Sequence, residues 1–211
     1  MFAYFHGFAS GPRSRKARQF QSALASHGVD LHIPALDEGD FPNLTISRQL
    51  ALLEKTLASQ SVSLIGSSMG GYLAALYAAR HPEVRRVVLL APAFDFAPRW
   101  QARWPDSTDP ATGTPRKSPS IDVFHYADLL TRPIRYSLIE DALHYPPFPD
   151  FSQPTLIFHG RNDDVVPIAL SRAFVAAHPN ARLVELDSDH ELTDVLPAIE
   201  TAAIPFLLAD L

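Results

Sequence analysis

Segments typical of strands alternate with segments typical of helices along most of this 211-residue chain. Short runs of apolar, β-branched or aromatic residues predict six strands, at residues 2–6, 29–33, 62–65, 84–90, 155–159 and 182–186. Longer stretches with helical spacing of apolar residues predict five helices, at residues 14–26, 45–59, 69–80, 168–177 and 193–209. This order of elements predicts an α/β fold, in which helices cover both faces of a mostly parallel sheet.

The alternation breaks once, between residues 93 and 151. This segment holds 10 of the 21 aromatic residues and 9 of the 19 prolines, which favours a separate unit with its own apolar contacts. Within it we expect a polar loop at residues 105–119 and two short helices, at 121–130 and 134–144. The predicted organisation is therefore a core made of residues 1–92 and 152–211, with an inserted aromatic- and proline-rich cap at 93–151.

Composition excludes several classes of protein. The content of 46% hydrophobic and 19% charged residues is that of a globular chain, and no apolar run is long enough to span a membrane. A net charge of −5 argues against nucleic acid or an anionic membrane as the main partner. Without cysteine there are no disulfides or thiolate metal sites. The first residues contain no basic leader and no cleavage site, so we expect a cytoplasmic protein.

The strongest motif is Gly66-Ser67-Ser68-Met69-Gly70, which lies between a predicted strand and a predicted helix. A serine on such a tight turn adopts a strained backbone conformation, and side chains two positions away would collide with it. Gly66 and Gly70 remove those collisions. The pattern predicts that Ser68 is a nucleophile.

A serine nucleophile needs a base and an acid that orients the base. His190 follows the last predicted strand, and Asp163 lies in the turn after the strand before it. Both turns emerge at the same sheet edge as Ser68. Asp164 competes with Asp163 for the role of the acid, and Asp187 or Asp189 could take it only if the turn folded back.

The oxyanion of an acyl-transfer reaction also needs hydrogen-bond donors. We expect one donor to be the backbone N–H of Met69, which follows the serine and begins a helix. The other is expected to be the N–H of Phe8, because Gly7 allows the chain to turn sharply after the first strand. His6 is expected to brace this loop through hydrogen bonds.

Taken together, these motifs resemble the α/β-hydrolase fold with a Ser-His-Asp triad, and more narrowly the small bacterial HGF-loop (YqiA-like) esterase group. The matching pieces are Tyr4-Phe5-His6-Gly7-Phe8 with Ser10, Ser14-Arg15-Lys16-Ala17, Gly66-Ser67-Ser68-Met69-Gly70-Gly71, Gly160-Arg161-Asn162-Asp163 with Val166-Pro167, and Asp189-His190. The resemblance implies a six-stranded sheet in the order 2-1-3-4-5-6. Its Gly-x-x-Asp-x-x-Val-Pro spacing implies that the acid is Asp163.

The function expected from these residues is hydrolysis of a small-molecule carboxylic ester through an acyl-enzyme on Ser68, without a cofactor or metal. The aromatic residues of the inserted segment suggest an apolar acyl or aryl substrate. The candidate substrate-binding residues are Phe94, Phe96, Trp100 and Trp104. Two alternatives stay open: a thioesterase or acyl-protein deacylase with the same triad, and a non-catalytic binding module on the same fold.

A cluster of basic residues begins the first predicted helix. It comprises Arg13, Arg15, Lys16 and Arg18. We interpret the cluster as a solvated face, with the steering of an anionic substrate as the second interpretation.

Overall fold

The computed structural model describes residues 1–58 and 60–209. Within those ranges the ten strands are, in chain order, β1 (Phe2–Phe5), β2 (Leu31–His32), β3 (Val62–Ser67), β4 (Val84–Leu90), β5 (Asp106–Thr108), β6 (Pro115–Lys117), β7 (Ser120–His125), β8 (Leu130–Arg135), β9 (Thr155–Gly160) and β10 (Ala181–Leu186). The seven α-helices of the same ranges are α1 (Arg15–Ala25), α2 (Ile46–Leu57), α3 (Met69–Ala78), α4 (Phe96–Arg103), α5 (Ser137–Ala142), α6 (Ile168–Ala177) and α7 (Leu196–Leu208). Ser59, the last residue of the helix predicted at 45–59, lies outside the described residues.

Six of the strands form one sheet, in the order β2-β1-β3-β4-β9-β10, and every neighbouring pair is parallel. Counted along the chain, this is the order 2-1-3-4-5-6, so the predicted fold class and strand order are confirmed. Parallel strands place all their carboxyl ends at one edge of the sheet. The loops after β1, β3, β9 and β10 therefore meet there.

The sheet is buried on both faces, as the alternation of its side chains shows. In β1, Phe2 and Tyr4 pack in one apolar cluster with α1 and α7, whereas Ala3 and Phe5 pack in another with α2, α3 and α6. Helix α3 lies over the centre of the second face and is buried along its whole length. A central, fully buried helix gives the turn at its amino terminus a rigid support.

The segment between β4 and β9 contains α4, α5 and two antiparallel hairpins, β5-β6 and β7-β8. The helix predicted at 121–130 is wrong, because β7 and the start of β8 occupy those residues. The side chains of β7 alternate between exposed and partly buried positions, and this period of two residues is that of a strand. A turn containing Leu129 at φ 59° closes the hairpin.

Two further expectations for this segment need correction. The predicted polar loop at 105–119 contains the short hairpin β5-β6, whose residues are largely exposed. The helix predicted at 134–144 is shorter, because Ile134 and Arg135 pair in β8 and α5 begins at Ser137.

The β7-β8 hairpin lies against the loops that follow β1 and β2. The N–H of Tyr126 donates to the carbonyl of Ala9 at 2.7 Å, and Arg135 Nη1 donates to Asn43 Oδ1 at 2.6 Å. These contacts place the hairpin over the sheet edge where the candidate site residues gather. None of the helices described is both long enough and apolar enough to cross a lipid bilayer.

Candidate active site

Ser68 lies on the sharp turn between β3 and α3, in a backbone conformation that L-residues rarely adopt. Its φ is 54° and its ψ is −119°. Two backbone hydrogen bonds fix the turn. The N–H of Ser68 donates to the carbonyl of Leu90 at 2.8 Å, and the carbonyl of Ser68 accepts the N–H of Ala93 at 3.0 Å. A conformation of this kind costs about 1–3 kcal/mol and persists only where the surrounding structure imposes it.

The two glycines of the motif make room for this turn. A Cβ atom on Gly70 would overlap the carbonyl oxygen of Phe5, and one on Gly66 would overlap the carbonyl oxygen of Gly70. The close approach therefore excludes any side chain at either position. It also brings the end of β1 against the start of α3, which sets the distance between the first loop and Ser68.

Ser68, His190 and Asp163 form a continuous chain of hydrogen bonds. His190 Nδ1 lies 2.7 Å from Asp163 Oδ2, and His190 Nε2 lies 3.0 Å from Ser68 Oγ. Because the carboxylate accepts at Nδ1, the imidazole proton is on that nitrogen. Nε2 is then free to accept the proton of the serine hydroxyl.

The side chain of Asp163 is fully buried and accepts hydrogen bonds from several donors. Its Oδ1 accepts the backbone N–H groups of Val165 and Val166, at 2.9 and 2.7 Å. Its Oδ2 lies 3.0 Å from His159 Nε2 as well as close to His190. Burial raises the pKa of Asp163, but the hydrogen bonds from the two imidazoles and from Val166 outweigh that effect and hold the pKa well below its usual range. The carboxylate therefore stays ionised.

His159 is a fully buried partner of this carboxylate that sequence reasoning did not assign. Its Nε2 lies 3.0 Å from Asp163 Oδ2 and 2.9 Å from the carbonyl oxygen of Val166. Both atoms are acceptors, so Nε2 carries the proton, and Nδ1 accepts the hydroxyl of Ser171 at 2.8 Å. The spacing of four residues between His159 and Asp163 was the available signal.

The other three carboxylates considered for the acid have different surroundings. Asp187 accepts the side-chain amide of Asn162 at 3.0 Å. Asp189 accepts the backbone N–H groups of the two residues at 191 and 192, which shapes the turn that carries His190. Asp164 is exposed. The structure brings Asp163, rather than these three, to His190.

The two predicted oxyanion donors lie beside Ser68 on the wall of the same cavity. Within residues 1–58 and 60–209, the N–H groups of Phe8 and Met69 donate no hydrogen bond, so both are free for a ligand. The loop that carries Phe8 is braced by His6, whose Nε2 accepts the N–H of Leu36 at 3.2 Å and whose Nδ1 donates to the carbonyl of Gly7 at 3.1 Å. Burial lowers the pKa of His6, which keeps the ring neutral in this role.

Ser68 and His190 open into a cavity of about 700 Å³. Phe96, Trp100 and Trp104 of the predicted aromatic set line it, and Trp100 packs edge-on against Phe8 with ring centroids 5.2 Å apart. The position of Phe94 differs from the expectation. Its ring does not line the cavity, because it is fully buried in the core and stacks on Phe174 of α6 with the ring centroids 4.4 Å apart.

Five basic side chains also line the cavity: Arg13, Arg15, Lys16, Arg99 and Arg103. The first three belong to the basic cluster for which the steering of an anionic substrate was the second interpretation. The two on α4 were not expected in the site. A signal was present for α4, where positions 96, 99, 100, 103 and 104 follow helical spacing and so share one face. Among the residues the structure describes, no group of three or more His, Asp or Glu side chains is arranged to hold a metal ion.

The fold is shared with solved structures. A structure of Est1E from Butyrivibrio proteoclasticus with bound ferulic acid has a TM-score of 0.82 at 19% identity, over 99% of this chain and 88% of that one. The mouse alpha/beta hydrolase domain-containing protein 10 has a TM-score of 0.77 at 18% identity, over 97% and 88% of the two chains. A structure from a study of the metagenome-derived lipolytic enzymes LipS and LipT has a TM-score of 0.73 at 21% identity, over 98% and 92%.

These similarities identify the α/β-hydrolase fold. The profile of a protein family matches almost the whole chain, from residue 1 to residue 207. The chain therefore belongs to that family, which is described as Uncharacterised protein family UPF0227.

Proposed function

We propose that this protein is a cofactor-independent serine esterase that hydrolyses carboxylic esters through an acyl-enzyme intermediate. The observation that carries the proposal is the chain of hydrogen bonds from Ser68 through His190 to Asp163, with distances of 3.0 and 2.7 Å, at the wall of a cavity of about 700 Å³. A structural role for these residues would not require the strained conformation of Ser68 or the two unpaired N–H groups beside it.

In the proposed mechanism, Ser68 Oγ attacks the acyl carbon while His190 Nε2 takes the hydroxyl proton. The negative charge that forms on the carbonyl oxygen is stabilised by the N–H groups of Phe8 and Met69. His190 then gives the proton to the departing alkoxide, which leaves as the alcohol. Water hydrolyses the acyl-enzyme by the same steps in reverse order, and Asp163 keeps the imidazole in the required tautomer throughout.

The proposed substrate has an apolar acyl or aryl group. Phe96, Trp100 and Trp104 supply aromatic surface next to the nucleophile, and residues 93–151, which contain them, would act as the cap. The bound ferulic acid in the similar Est1E structure is itself an aromatic acid, which favours the same class. The cytoplasmic location stays a prediction.

Hydrolysis of para-nitrophenyl esters from acetate to palmitate tests the proposal, with wild type, Ser68→Ala and Ser67→Ala assayed in parallel. Loss of the nucleophile should lower kcat by about 10⁶. Ser67→Ala, the neighbouring serine in the same turn, should keep at least about a tenth of the activity, because its hydroxyl takes no part in the proposed steps. Equal activity in wild type and Ser68→Ala would overturn the proposal.

The thioesterase alternative has the same triad and oxyanion donors. Matched oxygen esters and thioesters of one acyl chain separate the two functions. A kcat/KM that favours the oxygen ester, after correction for the spontaneous rates, supports the esterase, and the reverse order supports the thioesterase.

A further inference from the structure

The charge of the cavity wall is opposite in sign to that of the whole chain. Five of the 18 Lys and Arg residues line the cavity, whereas among the described residues Glu191 is the single Asp or Glu that does so. The chain as a whole has a net charge of −5. A concave surface concentrates the field of its charges, so this cavity attracts anions.

The basic wall comes from two separate elements. Arg13, Arg15 and Lys16 lie where the chain enters α1, whereas Arg99 and Arg103 lie one turn apart on α4. Arg18, the remaining member of the basic cluster identified in the sequence, is exposed and does not line the cavity. Arg13 and Arg15 are also exposed, but they line the cavity, so the interpretation of this cluster as a face in contact with bulk solvent alone applies only to Arg18.

Three of these cations have no partner. Within the described parts of the chain, the guanidinium groups of Arg13, Arg15 and Arg103 form no hydrogen bond or ion pair. A guanidinium group is charged at every accessible pH and presents a planar fork of donors that matches carboxylate and phosphate oxygens. Unpaired groups of one sign around a cavity repel one another, and a bound anion would relieve that repulsion.

Lys16 connects this wall to the reacting centre. Its side chain is 11% exposed, and its ammonium group donates to the carbonyl oxygen of Glu191 at 2.8 Å, next to His190. The Glu191 carboxylate is further away, at 3.8 Å. Burial lowers the pKa of Lys16, and the nearby carboxylates only partly offset that effect. A second anion near this ammonium group would compensate for its lost hydration.

We propose that the esters hydrolysed at Ser68 carry an anionic group, a carboxylate or a phosphate, which binds to the basic wall formed by Arg13, Arg15, Lys16, Arg99 and Arg103. This inference rests on the proposed esterase function and names its substrate class. Trp100 lies between Arg99 and Arg103 on α4, so the apolar or aryl part of the substrate contacts the indole ring while the anion lies beside it.

The test compares esters that differ in charge and little else. For an anion on the acyl side, the pair is 4-nitrophenyl valerate and mono-4-nitrophenyl glutarate. For an anion on the alcohol side, the set is the butyrate esters of 4-hydroxybenzamide, 4-hydroxybenzoate and 4-hydroxyphenyl phosphate. The kcat/KM of each ester is measured for wild type, for the double variant Arg13→Gln/Arg15→Gln and for Arg18→Gln, which removes one positive charge outside the cavity.

We expect wild type to favour the anionic member of one series by about tenfold in kcat/KM, since two charges at a solvent-accessible wall contribute on this scale. The double variant should lose most of that preference, and Arg18→Gln should keep it. The preference should also fall as NaCl is raised from 50 to about 500 mM, because salt screens the attraction. The larger of the carboxylate and phosphate effects identifies the anion.

The outcomes distinguish failure of this inference from failure of the esterase proposal. If the neutral esters are hydrolysed and depend on Ser68, but the anionic esters react no faster in either series, the basic wall does not select substrates. A preference that is equal in wild type and the double variant contradicts the assignment in the same way. If wild type hydrolyses none of the esters, the esterase proposal itself fails and the inference fails with it.

Discussion

The strained turn at Ser68 leads to a prediction about stability that is independent of any substrate. The φ of 54° and ψ of −119° at Ser68 are accessible to glycine but strained for a residue with a Cβ atom. Ser68→Gly and Ser68→Ala both remove the hydroxyl group and its 3.0 Å hydrogen bond to His190. The difference between the two variants therefore isolates the strain at this position.

The magnitude follows from two opposing contributions. Relief of the strain stabilises the folded state of Ser68→Gly by about 1–3 kcal/mol. The greater freedom of glycine in the unfolded chain costs about 0.5–1 kcal/mol. We expect Ser68→Gly to be more stable than Ser68→Ala by about 1 kcal/mol, which corresponds to about 2–4 °C in Tm for a domain of this size.

Urea denaturation followed by circular dichroism measures this difference. Ala51→Gly, on the exposed side of α2, is the matched control, because its backbone is helical and the substitution should cost about 1 kcal/mol. The glycine should thus stabilise at position 68 and destabilise at position 51. If Ser68→Gly has a lower free energy of unfolding than Ser68→Ala, by as much as Ala51→Gly loses relative to wild type, then the backbone at position 68 is not strained.

Three further predictions concern the residues around Ser68. Asp163→Asn should lower kcat by about 10⁴ in ester hydrolysis, while Asp164→Asn changes it little; similar losses in both would contradict the assignment of the acid. The pKa of Asp163 is lowered in the folded state, so the ionised carboxylate stabilises the fold. The free energy of unfolding of wild type relative to Asp163→Asn, measured by urea denaturation, should be greatest above about pH 5 and fall as the pH drops below about 4. A difference that stays constant with pH would contradict this. Trp100→Ala should raise KM more for octanoyl than for acetyl esters, whereas an equal effect on both would exclude the indole ring from the acyl-binding surface.

The architecture of the sheet could be predicted from the sequence because its signals are local and agree with one another. In β1, Phe2 and Tyr4 lie on one face of the sheet, and Ala3 and Phe5 lie on the other. A strand that is apolar on both faces and is flanked by helices in the sequence is typical of a parallel sheet. The inserted segment was harder to predict, since β7 is short and its apolar residues fit both a helix and a strand. The pairing with β8 makes this segment a strand rather than a helix. That pairing is a contact between two segments and is not visible in the sequence of either one.

The site was predictable to the extent that its residues lie in motifs. Ser68, Asp163 and His190 each follow a strand of the parallel sheet. Because the carboxyl ends of these strands lie at one edge, the sequence positions alone indicate that the three side chains lie close together. The basic wall forms because α4 packs close to the amino-terminal end of α1. No pattern within either segment predicts the distance between them. The sequence also does not show which basic side chains are buried. The structure does, and it distinguishes the largely buried side chain of Lys16 from the exposed Arg18.

Covalent labelling with a fluorophosphonate tests whether Ser68 is an activated nucleophile, the property on which the proposed function depends. Wild type is incubated with the probe, digested and mapped by tandem mass spectrometry, with His190→Ala as a second sample. We expect one adduct, on Ser68, that forms at least about a hundredfold more slowly in His190→Ala, which lacks the base. An adduct on another serine, or no adduct on the folded protein, would contradict it.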